Sequence, residues 1–230
     1  MKIGFFIICR YNSSRLPGKI LMEIKGKSIL QYIIERISLV VPEKNIVVAT
    51  SEEKTDNPIA EYCKKNKINV FRGSLNNVAL RFLNCGKKNK FDFITRINGD
   101  NLFVDVEVLQ RMIKFAQTNK YDFVSNVKDR TFPKGMSVEI VRTKHYEEMY
   151  SLFNNDGHFE HVTQYLYQND KNKNYYYFYN TICPESAGIQ LAIDSKDDLD
   201  FAKKIVGRFE KKHTEYGLKE IFKIIKEINE

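Results

Sequence analysis

The sequence predicts an α/β fold with a mostly parallel central sheet, helices on both faces and a small extra subregion. Three observations point to it. Short apolar runs rich in β-branched residues recur along the chain, the first at Ile3 to Ile8, and such runs are typical of strands buried on both faces. The segments between them carry apolar residues at helical spacing, as in Ile29, Ile33 and Ile37. Strand and helix alternate strictly through the first half, which implies crossover connections and parallel strands.

Taken in order, Ile3 to Ile8 is a buried strand ending in a cation-rich loop, and a helix follows from about Ser28 to Val40. Next come a strand at Ile46 to Ala49, a helix at about Pro58 to Asn66, a short strand at Asn69 to Phe71 and a helix at about Asn77 to Lys88. Pro58 suits the first turn of its helix, with Asp56 or Asn57 as its cap. Phe91 to Ile97 reads as another buried strand, Asp105 opens a helix to about Thr118, and Asp122 to Ser125 is a further strand. The pattern changes after Asn126. A strand is expected at Met136 to Val141, helices at Lys144 to Phe153 and Phe159 to Gln168, and a strand in the run Tyr175 to Tyr179. Ile189 to Ile193 reads as a last strand, before closing helices at Lys196 to Glu210 and Leu218 to Ile228. There is no internal repeat and no low-complexity linker, so a single domain spanning 1–230 is expected.

The chain has 230 residues, 43% hydrophobic and 29% charged, the composition of an ordinary globular protein. Its net charge of +8 raises nucleic-acid binding as a possibility. The lysines are scattered beside acidic residues, however, and form no basic stripe with interleaved aromatics, so a solvated surface is the better reading. Four cysteines, at 9, 63, 85 and 183, form no C-x-x-C pair. That argues against a zinc site or a disulfide framework and for a reducing compartment. No signal peptide is visible, and no window approaches the roughly 18 apolar residues of a membrane span. The expectation is a cytoplasmic protein with no membrane partner.

The most informative segment is Cys9-Arg10-Tyr11-Asn12-Ser13-Ser14-Arg15-Leu16-Pro17-Gly18-Lys19. It follows the first strand, where open α/β sheets bind ligands. It crowds three fixed cations (Arg10, Arg15, Lys19), two serines and backbone N–H groups, and this set calls for a polyanion such as a nucleoside triphosphate. It is neither a Walker A sequence nor a dinucleotide fingerprint. Asn98-Gly99-Asp100 closes another central strand. Gly99 lets the backbone approach a ligand, and Asp100 is placed to hold Mg²⁺, which takes one or two carboxylates plus substrate oxygens. Asp100 opening a turn, and Asp194 or Ser195 capping the following helix, are the plain structural alternatives. Arg72-Gly73-Ser74, which on its own is a turn and cap, ends the third strand, with Arg81 on the next helix.

This loop resembles the R-x-x-S-S-R-L-P-G-K signature of cytidylyltransferases that activate acidic sugars, most of all the spore-coat polysaccharide biosynthesis protein F branch. Ile46 to Ser51, Val70 to Ser74, Arg96 to Asp100, Phe159 to Thr163 and Ile193 to Leu199 also resemble that branch, in its order and over nearly the whole chain. The resemblance implies a nucleotide-diphospho-sugar transferase (Rossmann-like) fold. It divides the domain into a nucleotide-binding half (1–126), an acceptor-binding and dimerisation subregion (127–195) and closing helices (196–230). It implies CTP as substrate, Mg²⁺ on Asp100 with Asp194, and nucleotide contacts from Arg10, Ser13, Ser14, Arg15, Lys19, Arg72, Gly73, Ser74, Arg81 and Asn98. Glu139, His161 and Gln164 are the acceptor-side candidates, and a homodimer is expected. The expected reaction is attack by an acidic acceptor on the α-phosphorus of CTP, releasing pyrophosphate, for surface polysaccharide synthesis. The segments Asn101 to Asp105 and Gly135 to Ser137 depart from the branch's pattern, leaving phosphonates and phosphorylated metabolites open as acceptors. A nucleotide-sugar-dependent glycosyltransferase and a non-catalytic nucleotide-binding subunit are the rival readings.

Overall fold

Ile3 to Ile8 carries no charged side chain, so nothing prevents burial of both its faces, and it forms an interior strand of the sheet. The computed structural model describes residues 1–171 and 173–230. The first half contains β1 (Ile3–Ile8), a hairpin of β2 (Glu23–Ile24) and β3 (Lys27–Ser28), α1 (Ile29–Ser38), β4 (Ile46–Ser51) and α2 (Asn57–Lys65). It continues through β5 (Val70–Gly73), α3 (Val78–Lys88), β6 (Phe93–Asn98), α4 (Val106–Gln117) and β7 (Phe123–Ser125). Then follow β8 (Glu139–Arg142), α5 (Thr143–Tyr150), α6 (Asp156–Glu160), α7 (Gln164–Gln168), β9 (Tyr175–Tyr177), α8 (Lys196–Gly207) and α9 (Leu218–Asn229).

Seven strands form one sheet in the order β5-β4-β1-β6-β8-β7-β9. The pairs β5–β4, β4–β1, β1–β6 and β7–β9 are parallel, and β8 runs antiparallel to both β6 and β7. The sheet is therefore parallel except for β8, as the alternation predicts. Register brings the ends of the parallel strands level, with Ile8 opposite both Ala49 and Asn98, and Ser51 opposite Gly73.

Side chains alternate across β1. Phe5 and Ile7 enter one core with Ile29, Ile33 and Ile37 of α1, Leu109 of α4 and Ile221 of α9. Phe6 enters the other, beneath α3 and α5, where its ring meets Phe82 edge-on at 5.5 Å between centroids. Fully burying an aromatic of this size favours folding by about 1.5–3 kcal/mol. Arg36 ties α1 to the chain's end: it is buried and donates to the carbonyls of Val104, His213 and Tyr216.

Two expected elements differ. Ile189 to Ile193 makes only an isolated bridge, Lys134 to Gln190, and is not a strand of the sheet. The helix expected from Phe159 to Gln168 is two, α6 and α7, separated at His161 to Thr163. Within that break the Val162 carbonyl accepts the Tyr146 hydroxyl at 2.7 Å and the Thr163 hydroxyl donates to Glu139 at 2.7 Å. The first takes a backbone carbonyl that a continuous helix would use, and the second anchors the break to β8. The aromatic run does supply a strand, β9, at the sheet's edge.

Candidate active site

The ends of β1 and β6 open into a cavity of about 330 Å³. The loop from Cys9 to Gly18 forms one wall. Its hub is Tyr11, whose carbonyl accepts the amides of Ser13 at 3.0 Å and Gly18 at 2.7 Å. Gly18 has φ of 73°, a left-handed conformation that L side chains resist, and it starts the helical turn Lys19–Leu21 that aims Lys19 inward. Arg10, Ser13, Ser14, Arg15 and Lys19 all line the cavity.

The facing wall is the Asn98-Gly99-Asp100 turn. The Gly99 amide donates to the Ile8 carbonyl at 2.9 Å. A Cβ on Gly99 would stand 2.7 Å from the Cys9 Cβ, so only glycine allows the end of β6 to lie against the cation-rich loop. Asp100 follows and is one-fifth exposed; its Oδ1 is buried with no hydrogen-bond partner among the described residues. Burial raises its pKa, and Asp194 adds to the rise while Lys19 and Arg96 oppose it.

Asp194 completes this wall. Ser195, not Asp194, caps α8, in a capping box with Asp198, which leaves the Asp194 carboxylate free to face the cavity. Lys19 Nζ donates to the Ile193 carbonyl at 2.6 Å and to Asp194 Oδ1 at 3.1 Å, and lies 3.9 Å from Asp100 Oδ2. Arg15 reaches the other Asp194 oxygen at 3.0 Å. Two carboxylates and two cations thus interlock at the cavity floor. Among the described residues no three His, Cys, Asp or Glu side chains converge, so any metal here has at most these two carboxylates and must take its remaining ligands from substrate and water.

Arg81, Arg96, Asn98, Glu160 and His161 form the rest of the polar lining. Arg81 is buried and donates to the Ser74 carbonyl at 2.7 Å. Arg96 was not among the site residues expected from the sequence, although it is the single charge in an otherwise uncharged strand. It lies directly opposite Glu139 in the register of β6 and β8, and the two form an ion pair. Burial works against the Arg96 charge, but Glu139 outweighs it and raises the guanidinium pKa.

The other expected residues lie elsewhere. Glu139 does not line the cavity; it is 1% exposed, bound to Arg96, and accepts the hydroxyls of Thr163 and Tyr167 at 2.7 Å each. Its place is behind Arg96 because β8 runs against its neighbours and brings its first residue, not its last, to this end of the sheet. Gln164 lies on α7 outside the lining, its Oε1 buried and without a hydrogen-bond partner among the described residues. Arg72 uses its guanidinium on the carbonyls of Ser51 and Glu53, and neither it nor Gly73 lines the cavity. Ser74 borders an adjoining hollow of about 470 Å³, which Arg10 and Glu160 share. The two departures from the branch's pattern meet each other, the Asn101 side chain donating to the Ser137 carbonyl at 2.9 Å, and neither segment reaches the cavity. Cys9 lines it, but burial pushes its thiol pKa well up, so it is not a thiolate at neutral pH. His145 is buried and bonded to the Tyr175 hydroxyl at 2.8 Å, away from the cavity lining.

A cation-lined loop and paired carboxylates at the carboxyl end of a mostly parallel sheet form an arrangement suited to a nucleotidyltransferase. The particular family follows from comparison: the sequence model described as "Cytidylyltransferase" matches residues 5–227, and the chain belongs to that family. It is therefore a CTP-dependent nucleotidyltransferase. The chain is 30% identical to the spore coat polysaccharide biosynthesis protein SpsF of Bacillus subtilis, over 88% of this chain and 85% of that protein. An uncharacterized protein of Methanocaldococcus jannaschii is 31% identical over 91% of this chain and 85% of its own length. The solved structure of a cytidylyltransferase from Leptospira borgpetersenii superposes with a TM-score of 0.92 at 30% identity, covering 100% of this chain and 95% of that one. CMP:2-keto-3-deoxy-manno-octonic acid synthetase, solved with CTP, shares the fold at 16% identity and a TM-score of 0.66, covering 90% of this chain and 99% of that one. No helix among the described residues is long and apolar enough to cross a membrane.

Proposed function

We propose that the protein transfers CMP from CTP to an acidic acceptor, a 2-keto acidic sugar or a phosphonate or phosphorylated metabolite, and releases pyrophosphate. The observation that carries the proposal is the cavity itself, with loop cations on one wall and Asp100 and Asp194 on the other, joined by Lys19. Arg10, Arg15 and Lys19, with the hydroxyls of Ser13 and Ser14, bind the triphosphate and offset the charge of the departing pyrophosphate. An acceptor oxygen, the hydroxyl of a sugar or an ionised oxygen of a phosphonate or phosphate, forms a bond to the α-phosphorus as the bond from that phosphorus to the bridging oxygen of the β-phosphate breaks. Where the acceptor is a hydroxyl, its proton leaves to a base at the cavity; His161 is the histidine in the lining. Arg96 and Arg81 line the same cavity and present positive charge to an anionic acceptor or to the nucleotide.

The donor set fits Mg²⁺: Asp100 has a buried, unpartnered oxygen among the described residues, and Asp194 stands across Lys19 from it. When bound there, Mg²⁺ supplies charge neutralisation at the phosphates and polarises the α-phosphate. A role in surface polysaccharide synthesis is supported by the name of the Bacillus relative.

The test is pyrophosphate release from each ribonucleoside triphosphate with Mg²⁺ and a panel of 2-keto acidic sugars, phosphonates and sugar phosphates. Release with CTP and one acceptor, abolished by EDTA and by Asp100→Ala, is expected. Absence of any CTP binding would overturn the proposal.

A further inference from the structure

Asp56 stands at the N-cap position of α2, where the sequence makes it a candidate cap, yet its side chain accepts no bond from that helix. Both oxygens turn the other way. Oδ1 accepts the Tyr11 amide at 2.6 Å. Oδ2 accepts the Ser51 amide and the Thr50 hydroxyl at 2.9 Å each, and the Ser51 hydroxyl at 2.5 Å. The residue is wholly buried and does not line the cavity.

Its partner Tyr11 is the hub of the phosphate loop, the residue whose carbonyl gathers the amides of Ser13 and Gly18. Asp56 therefore fixes the peptide between Arg10 and Tyr11, and through Tyr11 the arc that carries Ser13, Ser14 and Arg15. Arg72 braces the arrangement from the far side, bonding the carbonyls of Ser51 and Glu53 at 2.8 Å each. A buried carboxylate beside a loop meant for phosphate is an electrostatic cost unless it is put to use. Here four donors disperse its charge and one of them is the loop's own backbone.

We propose that Asp56 is a positioning residue for the nucleotide: by holding the Tyr11 amide it sets the phosphate loop in its receiving shape before CTP arrives, with Arg72 as its brace. This rests on the CTP reading given above. Burial works to raise the Asp56 pKa, but bonds from Ser51, the Tyr11 and Ser51 amides and Thr50 hold it below the usual carboxylate range, so the clamp is charged at neutral pH.

The test is calorimetric titration of CTP, with Mg²⁺ present, into the wild-type protein, Asp56→Ala, Asp56→Asn and a stability control. The control is Thr143→Val, which removes a buried hydroxyl bonded to the Phe91 carbonyl. Misplacing a binding loop weakens binding steeply, so the Asp56 variants are expected to bind CTP at least about tenfold more weakly. Thr143→Val should stay within about twofold of wild type even though its melting midpoint falls. A folded Asp56 variant that binds CTP like the wild type overturns the proposal. A wild-type protein that does not bind CTP fails at the earlier step, and the nucleotide reading and this role fall together. If neither Asp56 variant folds, hydrogen exchange at the Tyr11 amide of the nucleotide-free wild type decides. Protection like that of β1 amides supports the clamp, and exchange at an open-loop rate overturns it.

Discussion

Replacing Glu139 with alanine removes the one carboxylate that joins β8 to both β6 and the break between α6 and α7. Glu139 is 1% exposed and Arg96 22%. Breaking a fully buried ion pair costs about 3–5 kcal/mol, because a charge is left without its partner. Arg96 borders the cavity and can draw on its water, so the lower end of that range applies, about 3 kcal/mol. The Thr163 hydroxyl also loses a charged acceptor, a further loss of about 1.5 kcal/mol, whereas Tyr167 keeps its bond to Ser125. The sum is about 4.5 kcal/mol, or a fall in melting midpoint of about 9–18 °C for a chain of this length. Urea denaturation at neutral pH, with the midpoint compared at unchanged slope, measures it. Glu139→Gln, which keeps an acceptor for the hydroxyls, should lose less. The double variant Arg96→Met with Glu139→Leu should recover much of the stability, since apolar side chains replace a buried pair at little cost. A loss below about 1 kcal/mol for Glu139→Ala would refute the claim that this carboxylate holds the network together.

Two further outcomes follow from the charges. The Asp100 pKa is raised from its ordinary 3.8, so the folded protein holds that proton more tightly than the unfolded chain does. The resulting stabilisation is complete below pH 3.8 and is lost as pH rises through the raised value, leaving ionised Asp100 a cost at neutral pH. Asp100→Asn should therefore melt higher than wild type in metal-free buffer at neutral pH while turnover falls by about a hundredfold or more; a lower midpoint would contradict this. Glu35 shows the opposite sign: burial works to raise its pKa, but hydrogen bonds from Lys27, His213 and Gln31 lower it from 4.5 to about 2. Its contribution is complete above pH 4.5 and is lost as pH falls toward about 2. Glu35→Gln should flatten the acid limb of a stability profile over that window, and an unchanged limb would count against the assignment.

Much of this architecture is legible in the sequence because burial on both faces leaves an unmistakable mark: β1 and the first four residues of β4 are apolar runs that lead into polar turns. The loop after β1 is legible for a similar reason, since cations gathered at a strand's end have few other uses. The hairpin of β2 and β3 is too short to show periodicity; its sign is Lys25-Gly26, both at positive φ, 49° and 73°, the backbone that two-residue hairpin turns require. The direction of β8 is invisible because the residues of a short strand read alike both ways. That is why Glu139 looks like a site residue and proves to stand behind one. Arg96 did leave a signal, since a lone charge in a buried strand needs a partner, but naming the partner requires the strand order. Asp56 reads as a helix cap because its local surroundings are those of one, and only the fold reveals the distant amide it serves.

The chain makes β7 before β8, yet β8 lies between β6 and β7 in the sheet. Until β8 has entered, β6 is an open edge with bare backbone groups and an unneutralised arginine, a surface that invites pairing with another chain. Residues 1–126 carry the cation-rich loop and Asp100 but lack this strand. Cutting the protein at that boundary would thus yield a fragment prone to aggregate rather than a small nucleotide binder. During synthesis, the same edge stays exposed until the ribosome has released residue 142, which makes the middle of the chain its most vulnerable stage.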